Sequence, residues 1–183
     1  LFNECVDGAM SFMDKLVIGD PMDKSTDMGP LAQNSGIDTV IAQLEDAEKK
    51  GAEITFHSGV LPKGKKFIQP AILTNVNHDM AVMLDETFGP IIGIMAVNSD
   101  DQAIKLMNDS PFGLTASVWT KDAEKAIEIG NQIETGTFFQ NRCDVLDPAL
   151  PWVGVKDSGK GYTLSALGLQ QLTRPKSFNF KID

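Results

Sequence analysis

Apolar residues recur along this chain at spacings of three and four, which predicts a series of amphipathic helices. The first covers 2–16, and its shared face carries Phe2, Val6, Ala9, Met13 and Leu16. Cys5 falls within this helix and is predicted to be a small buried hydrophobic residue. Further helices are predicted over 37–47, 99–107, 122–133 and 163–172.

Short apolar or alternating runs between these helices predict strands. The run at 91–97 is β-branched and uncharged, which favours a strand covered on both faces. Residues 177–182 alternate polar and apolar, and a terminal strand of this kind often pairs with another subunit. Further strands are predicted over 53–56, 116–120 and 137–140, and 67–73 is predicted to be extended because residues beside Pro70 avoid the helical region. Strands alternating with helices indicate an α/β fold with a mainly parallel sheet covered by helices.

The segment 84–90, Leu-Asp-Glu-Thr-Phe-Gly-Pro, stands directly before the run at 91–97. Glu86 and Phe88 are two residues apart, so in extended backbone their side chains project the same way. A carboxylate and an aromatic face together could hold a ribose hydroxyl and the flat ring attached to the sugar. On spacing alone, the simpler interpretation is a solvated Glu86 and a core Phe88.

A long turn-rich stretch, 141–161, follows the strand predicted at 137–140 and is expected to be irregular. Its apolar content argues against disorder. Open α/β sheets place ligands in loops at the carboxyl ends of their strands. The stretch is therefore a candidate functional loop.

Composition and charge exclude several classes of protein. The 183 residues suffice for one domain with a core, and a net charge of −9 without a Lys/Arg block disfavours nucleic acid. No apolar run approaches the roughly 20 residues that span a bilayer, and the first residues lack a signal peptide. The chain does not begin with Met, so we expect it to be a piece of a longer protein.

Cysteine and histidine usage points to a cytoplasmic protein without a metal site. Cys5 and Cys143 are the two cysteines, which predicts free thiols in a reducing compartment. His57 and His78 have no acidic or thiol residue at ligand spacing. Both are predicted to be surface histidines.

Several motifs, in order along the chain, resemble those of the aldehyde dehydrogenase family. The family patterns are Glu-x-Phe-Gly-Pro, then Gly-Thr-x-x-x-Asn, then Pro-Phe-Gly-Gly-x-Lys-x-Ser-Gly. This chain carries the first at 86–90, the second at 136–141 and Pro-Trp-Val-Gly-Val-Lys-Asp-Ser-Gly at 151–159. Further matches lie at 18–21, 28–31 and 108–114, so the resemblance covers essentially the whole chain. It implies the catalytic-domain fold of that family, a three-layer α/β structure.

The resemblance also implies a cofactor, NAD or NADP, and residues that hold it. Glu86 matches the residue that binds the nicotinamide ribose, and Phe88 matches the aromatic residue beside the ring. The family's nucleophilic cysteine, its general-base glutamate and its main nucleotide-binding domain lie upstream of the position of Leu1. No catalytic residue is therefore expected in this chain.

On the substrate side, the resemblance places Asn141 near the catalytic cysteine and puts Cys143, Leu146 and Trp152 along the aldehyde tunnel. Leu146 replaces a phenylalanine of the family pattern. Pro-Phe-Gly-Gly becomes Pro-Trp-Val-Gly, so Val153 replaces a glycine. That replacement puts in doubt any backbone conformation that requires glycine there.

The main hypothesis is therefore the C-terminal part of an NAD(P)-dependent aldehyde dehydrogenase that is inactive by itself. Residues 1–174 would belong to the catalytic domain, truncated at its N-terminal side, and 175–183 would form an oligomerisation strand of a homodimer or homotetramer. Two alternatives are a non-catalytic structural or interaction module of the same fold and a relative that reduces acyl phosphates. A Gly-Gln-x-Cys type of segment upstream of Leu1 would favour the main hypothesis.

Overall fold

The computed structural model describes residues 1–64, 66–143 and 145–182, so one residue of the predicted loop 141–161 and one of the predicted segment 175–183 lie outside it. The chain divides into two compact units, Leu1–Ala96 and Val97–Asp183. The described helices are α1 (Phe2–Met13), α2 (Asn34–Lys49), α3 (Ala81–Leu84), α4 (Asp100–Asn108), α5 (Ala123–Gly130) and α6 (Ser165–Gln171). The described strands are β1 (Glu53–Phe56), β2 (Ala71–Thr74), β3 (Ile91–Gly93), β4 (Phe112–Gly113), β5 (Thr115–Val118), β6 (Thr137–Gln140), β7 (Trp152–Val153), β8 (Val155–Lys156) and β9 (Tyr162–Thr163).

The α/β fold class is confirmed, and the helices predicted from apolar spacing are present as α1, α2, α4, α5 and α6. The strand pairings are mixed. Strands β2 and β3 pair in parallel, as do β5 and β6, whereas β1–β2, β4–β8 and β7–β9 are antiparallel. Among the described residues, no helix has the length and apolar character needed to cross a membrane.

In the first unit, β2 is the middle strand of a three-stranded sheet and carries the core. Leu73 of β2 is fully buried and packs in one cluster with Ala47, Ala71, Val76 and Met80. Burying a large apolar side chain contributes about 1.5–3 kcal/mol. The sheet and helix α2 are therefore held together by β2.

The prediction of a buried strand over 91–97 is wrong in length and in burial. Strand β3 has three residues, and Ile92 in it is 56% exposed. The reason is position, because β3 lies at an edge of the sheet and β2 lies between two neighbours. The extended stretch predicted at 67–73 overlaps the covered strand, β2.

The predicted burial of Cys5 is also wrong, since its side chain is exposed. The buried residues of α1 are Val6 and Met13, which are seven positions apart. One residue along a helix is a rotation of about 100°. Cys5 therefore lies off the face that Val6 and Met13 share.

The prediction of a surface His57 is wrong, because the residue is 5% exposed. Its Nε2 lies 3.2 Å from the carbonyl oxygen of Leu16, and its Nδ1 accepts a hydrogen bond of 3.1 Å from the backbone N–H of Gly59. One neutral tautomer, with the proton on Nε2, satisfies both contacts. His57 is buried because two backbone groups, one nearby at Gly59 and one distant in sequence at Leu16, supply both of its partners.

The second unit is built around the parallel pair β5 and β6, which α5 connects. The predicted helix starts are confirmed. Ser99 Oγ accepts from the N–H of Gln102 at 3.2 Å, and Asp122 Oδ1 accepts from the N–H of Lys125 at 3.0 Å. Such caps satisfy donors that the first turn of a helix leaves free.

The stretch 141–161 is less irregular than predicted, since it contains β7 and β8. Strand β8 pairs with β4, and β7 pairs with β9 further along the chain. Each of these strands has two residues, and a run of that length gives almost no periodic signal in the sequence.

The predicted strand at 177–182 does not form among the described residues of the tail. Phe178 and Phe180 are 67% and 78% exposed, and their rings stack with centroids 5.8 Å apart. A strand needs a partner for its backbone N–H and C=O groups. No strand in the described part of the chain pairs with the tail.

Gly136 approaches the backbone of the chain at 153 so closely that no side chain fits. A Cβ at 136 would lie 1.5 Å from the carbonyl oxygen of Val153. We therefore expect Gly136→Ala to lower the free energy of unfolding by about 2 kcal/mol or more, as overpacking does. Gly8→Ala is the matched control, because no atom lies within 4 Å of its added Cβ. Gly8→Ala should raise the free energy of unfolding by about 0.5–1 kcal/mol, because it lies in helix α1. Urea unfolding measures both variants, and equal changes in their free energies of unfolding would contradict this account.

Candidate functional site

The segment 86–90 is fixed to the core of the first unit at three successive points. Thr87 Oγ1 donates a hydrogen bond of 2.8 Å to Oε1 of Gln43 on α2. Gly89 lies against α2 so tightly that a Cβ would stand 2.3 Å from Cγ2 of Val40. Pro90 accepts a hydrogen bond of 3.0 Å at its carbonyl oxygen from the N–H of Ala71 in β2.

Glu86 and Phe88 flank the inward-facing Thr87 and are both exposed, Phe88 by 78%. The simpler interpretation, a core Phe88, is therefore wrong. The alternation of exposed, half-buried and exposed residues is the one expected of extended backbone. A carboxylate and an aromatic ring thus stand free on a backbone that is held from behind.

Helix α3 leads into this segment, and Asp46 of α2 fixes its start. Oδ2 of Asp46 accepts a hydrogen bond of 2.8 Å from the N–H of Ala81, the first residue of α3. Lys50 Nζ lies 2.8 Å from Oδ1 of Asp46 and also donates to the carbonyl oxygen of Asp79. The N–H of Ala81 first, and Lys50 second, lower the pKa of Asp46 below its ordinary value of 3.8.

In the second unit, Asn141 follows β6 and continues the pairing of β5 with β6 through its side chain. Its Nδ2 donates to the carbonyl oxygen of Thr120 at 2.8 Å, and its Oδ1 accepts from the N–H of Thr120 at 3.0 Å. Its backbone has φ 54°, a left-handed conformation that Asn tolerates better than most residues. The predicted tunnel residue is thus a fixed turn at the end of a strand.

The other predicted tunnel residues lie further along the same stretch. Cys143 is an exposed free thiol, and Leu146 is 60% exposed. Trp152 is half-buried in β7 and lines an open cleft of about 270 Å³ together with Tyr162 and other residues. Asn141, Cys143 and Leu146 are not among the residues that line this cleft.

The predicted site residues therefore fall into two sets. Glu86 and Phe88 belong to the first unit, and the tunnel residues belong to the second. Among the described residues, no group of three or more His, Cys, Asp or Glu side chains is placed to hold a metal ion.

Lys156 has a structural role that the sequence analysis missed. Its Nζ donates to the carbonyl oxygens of Asn108 at 2.8 Å and Ser110 at 3.0 Å, and lies 3.0 Å from Oε2 of Glu134. Its φ is 53°. Lys156 ties the 151–159 motif to the 108–114 motif, and a lone lysine in the sequence gives no sign of this.

Gln43 was missed as well, although the sequence did carry a signal for it. It is 3% exposed and lies three positions after Val40 and four before Ala47 on the buried face of α2. A polar residue at helical spacing between buried apolar ones marks a buried polar group.

Val153, which replaces a glycine of the family pattern, needs no glycine-like backbone. The described residues other than glycine that have positive φ are Asn75, Asn141, Lys156, Leu164 and Ser165. The backbone at 153 therefore accepts a β-branched residue without strain.

Comparison with known proteins places this chain beside one family throughout its length. A sequence model of the aldehyde dehydrogenase family matches residues 1–178. An aldehyde dehydrogenase of Paenarthrobacter nicotinovorans is 42% identical over 90% of this chain and 36% of its own length. Succinate-semialdehyde dehydrogenase [NADP(+)] 1 of Mycobacterium bovis is 35% identical over 97% of this chain and 39% of its own length.

Solved structures show the same likeness in three dimensions. The structure described for cofactor and substrate selection by Gox0499 matches with a TM-score of 0.91 at 34% identity, over 98% of this chain and 40% of that one. The NAD+ complex of an aldehyde dehydrogenase from Bacillus cereus matches with a TM-score of 0.88 at 30% identity, over 94% of this chain and 35% of that one. This chain thus spans less than two-fifths of the length of each curated relative named above.

The contact of Asp46 with α3 predicts a pH-dependent contribution to stability. A carboxyl whose pKa is lowered by folding stabilises the folded state above its unfolded-state pKa, and this contribution is lost as the pH falls through the folded-state value. We therefore expect Asp46→Asn to be less stable than the parent sequence at neutral pH, with the difference closing below pH 3.8. Urea unfolding across this pH range measures the difference.

Glu45→Gln is the matched control, because Glu45 forms only an exposed pair with Lys49 at 3.8 Å. Exposed pairs of this kind contribute little. A difference for Asp46→Asn that stayed constant down to acid pH would contradict the role assigned to the carboxylate.

Proposed function

Because the chain belongs to the aldehyde dehydrogenase family, we propose that it is the C-terminal part of a longer NAD(P)-dependent dehydrogenase that oxidises an aldehyde to a carboxylic acid. The single observation that carries this proposal is the pair Glu86 and Phe88, exposed on a segment that is anchored to α2 and β2. The share of each relative's length that the chain spans, 36% and 39%, supports a longer parent.

The proposed reaction takes place on a cysteine that lies upstream of Leu1 in the parent. Its thiolate adds to the carbonyl carbon of the aldehyde and forms a thiohemiacetal. A bound nicotinamide would be held by Glu86 and Phe88 and would supply the acceptor for the hydride that this carbon loses as the thioester forms. Water then hydrolyses the thioester to the carboxylic acid and frees the thiol.

In this chain, Glu86 and Phe88 hold the cofactor ring for that hydride transfer. A carboxylate has two oxygens that accept hydrogen bonds, which suits a pair of ribose hydroxyls. An aromatic ring packs against another flat ring. Both side chains are exposed, so a sugar and its ring reach them without displacing the core.

On the aldehyde side, we propose that Asn141, Cys143, Leu146 and Trp152 border the path of the substrate. Asn141 is the most firmly fixed of the four, since its amide is bonded on both sides to the backbone of Thr120. Its second amide hydrogen and the second lone pair of its oxygen remain for a substrate oxygen or a neighbouring group.

We also propose that the parent is a cytoplasmic homo-oligomer, a dimer or tetramer, with the tail as part of the interface. The described cysteines are unpaired, as is usual in a reducing compartment. Fractionation of the source cells tests the location.

The interface proposal rests on three large apolar side chains of the tail, which are 67–92% exposed: Phe178, Phe180 and Ile182. Burial against a second subunit would give them the cover that this chain does not provide.

The interface proposal predicts that polar replacements in the tail weaken association. Burial of each phenylalanine contributes about 1.5–3 kcal/mol, so Phe178→Ser/Phe180→Ser in the full-length protein should shift it toward monomer in light scattering. Asn179→Ala, which changes the residue between Phe178 and Phe180 in the sequence, is the matched control and should leave the mass unchanged. An unaltered oligomer in the double variant would remove the tail from the interface.

The cofactor proposal predicts that Glu86→Gln lowers turnover more than it lowers cofactor affinity. Misplacement of a reacting group is commonly a tenfold effect or more, so kcat of the full-length protein should fall about tenfold or more, with hydride transfer becoming rate-limiting. The 183-residue chain alone is the negative control, since it lacks the nucleophile and should reduce no NAD(P)+. An unchanged kcat in a variant whose hydride step limits the rate would show Glu86 to be a solvated carboxylate.

A further inference from the structure

Gln43 is a polar side chain buried in an apolar face. It is 3% exposed and stands between Val40 and Ala47 on α2. Its Oε1 accepts the hydrogen bond from Thr87, whereas its Nε2 is buried without a hydrogen-bond partner among the described residues. The amide therefore makes one of the four hydrogen bonds that it could form.

One polar atom of Gln43 lacks a partner whichever way the amide is oriented. A hydroxyl both donates and accepts, so Thr87 would bond to either end of the amide. A flipped Gln43 would donate from Nε2 to Thr87 and leave Oε1 unpartnered instead. In both orientations one polar atom is buried without compensation.

Stability alone gives no reason for this arrangement. A buried polar atom without a partner destabilises the folded state, and replacing both members of a buried pair by apolar groups of the same shape is nearly neutral or stabilising. Methionine in place of Gln43 and valine in place of Thr87 would keep the shape and remove the penalty. The present pair therefore lowers the stability of the folded state, and its hydrogen bond fixes the geometry of the segment at 87.

That geometry bears directly on the exposed pair. Thr87 is bonded covalently to Glu86 on one side and to Phe88 on the other, so a rotation of the segment at 87 would carry both side chains with it. The contacts of Gly89 with Val40 and of Pro90 with Ala71 fix only the residues after Phe88. Among the described residues, the hydrogen bond of Thr87 to Gln43 holds the segment between Glu86 and Phe88.

We propose that Gln43 and Thr87 are positioning residues that hold Glu86 and Phe88 at the orientation needed for hydride transfer. The inference rests on the proposed function, because it assumes that Glu86 and Phe88 contact the nicotinamide riboside. Gln43 acts from the buried side through Thr87 and touches neither substrate nor cofactor. Its hydrogen bond ties Thr87 to α2 and so keeps the two exposed side chains pointing in a fixed direction.

The test is the double variant Gln43→Met/Thr87→Val in the full-length protein, assayed with an aldehyde and NAD(P)+. The expected thermal stability is unchanged or higher, since an uncompensated polar atom is removed. The expected kcat is about tenfold lower, as for other losses of orientation. The primary deuterium isotope effect with aldehyde deuterated at C1 should increase, because hydride transfer then limits the rate.

Thr87→Ser is the matched control, because serine keeps the hydroxyl that bonds to Gln43, and its kcat should stay near that of the parent. A double variant with normal kcat, or one whose kcat and stability fall together, would overturn the positioning role. If Glu86→Gln lowers kcat and the double variant does not, only the positioning role fails. If neither change lowers kcat, the proposed cofactor contact fails with it.

Discussion

The backbone of Ala71 is the point on which the first unit depends. Its side chain is buried in the core cluster, and its N–H donates to the carbonyl oxygen of Pro90. It stands opposite Ile91 in the parallel register of β2 and β3. The core strand therefore sets where the segment 86–90 ends, and the hydrogen bond from Thr87 to Gln43 holds the part of the segment that lies before that point.

The helices could be predicted from the sequence because their signals are local. Apolar spacing, the caps at Ser99 and Asp122 and the glycine stop at Gly51 lie within a few residues of the elements that they define. Gly51 has φ 92°, the conformation for which glycine is used at a helix end. Such signals need no knowledge of what the helix packs against.

Burial could not be predicted in the same way, because it depends on which neighbours the fold supplies. Ile92 and Leu73 both sit in short apolar runs, yet one lies at an edge of the sheet and the other in its middle. His57 is covered because distant Leu16 comes within reach of its ring. Phe88 belongs to a motif whose residues were identified from the sequence, but its exposure follows from Thr87 facing inward to Gln43.

The contact between Gly136 and the carbonyl oxygen of Val153 restricts substitution at position 136 but not at position 153. Position 136 has no room for a side chain, so any residue other than glycine there would clash with a carbonyl group. Position 153 gives only its carbonyl oxygen, which all twenty amino acids possess. Its side chain and its backbone conformation remain outside the contact. A valine can therefore stand where the family pattern has glycine, and the two chain segments still meet at the same place.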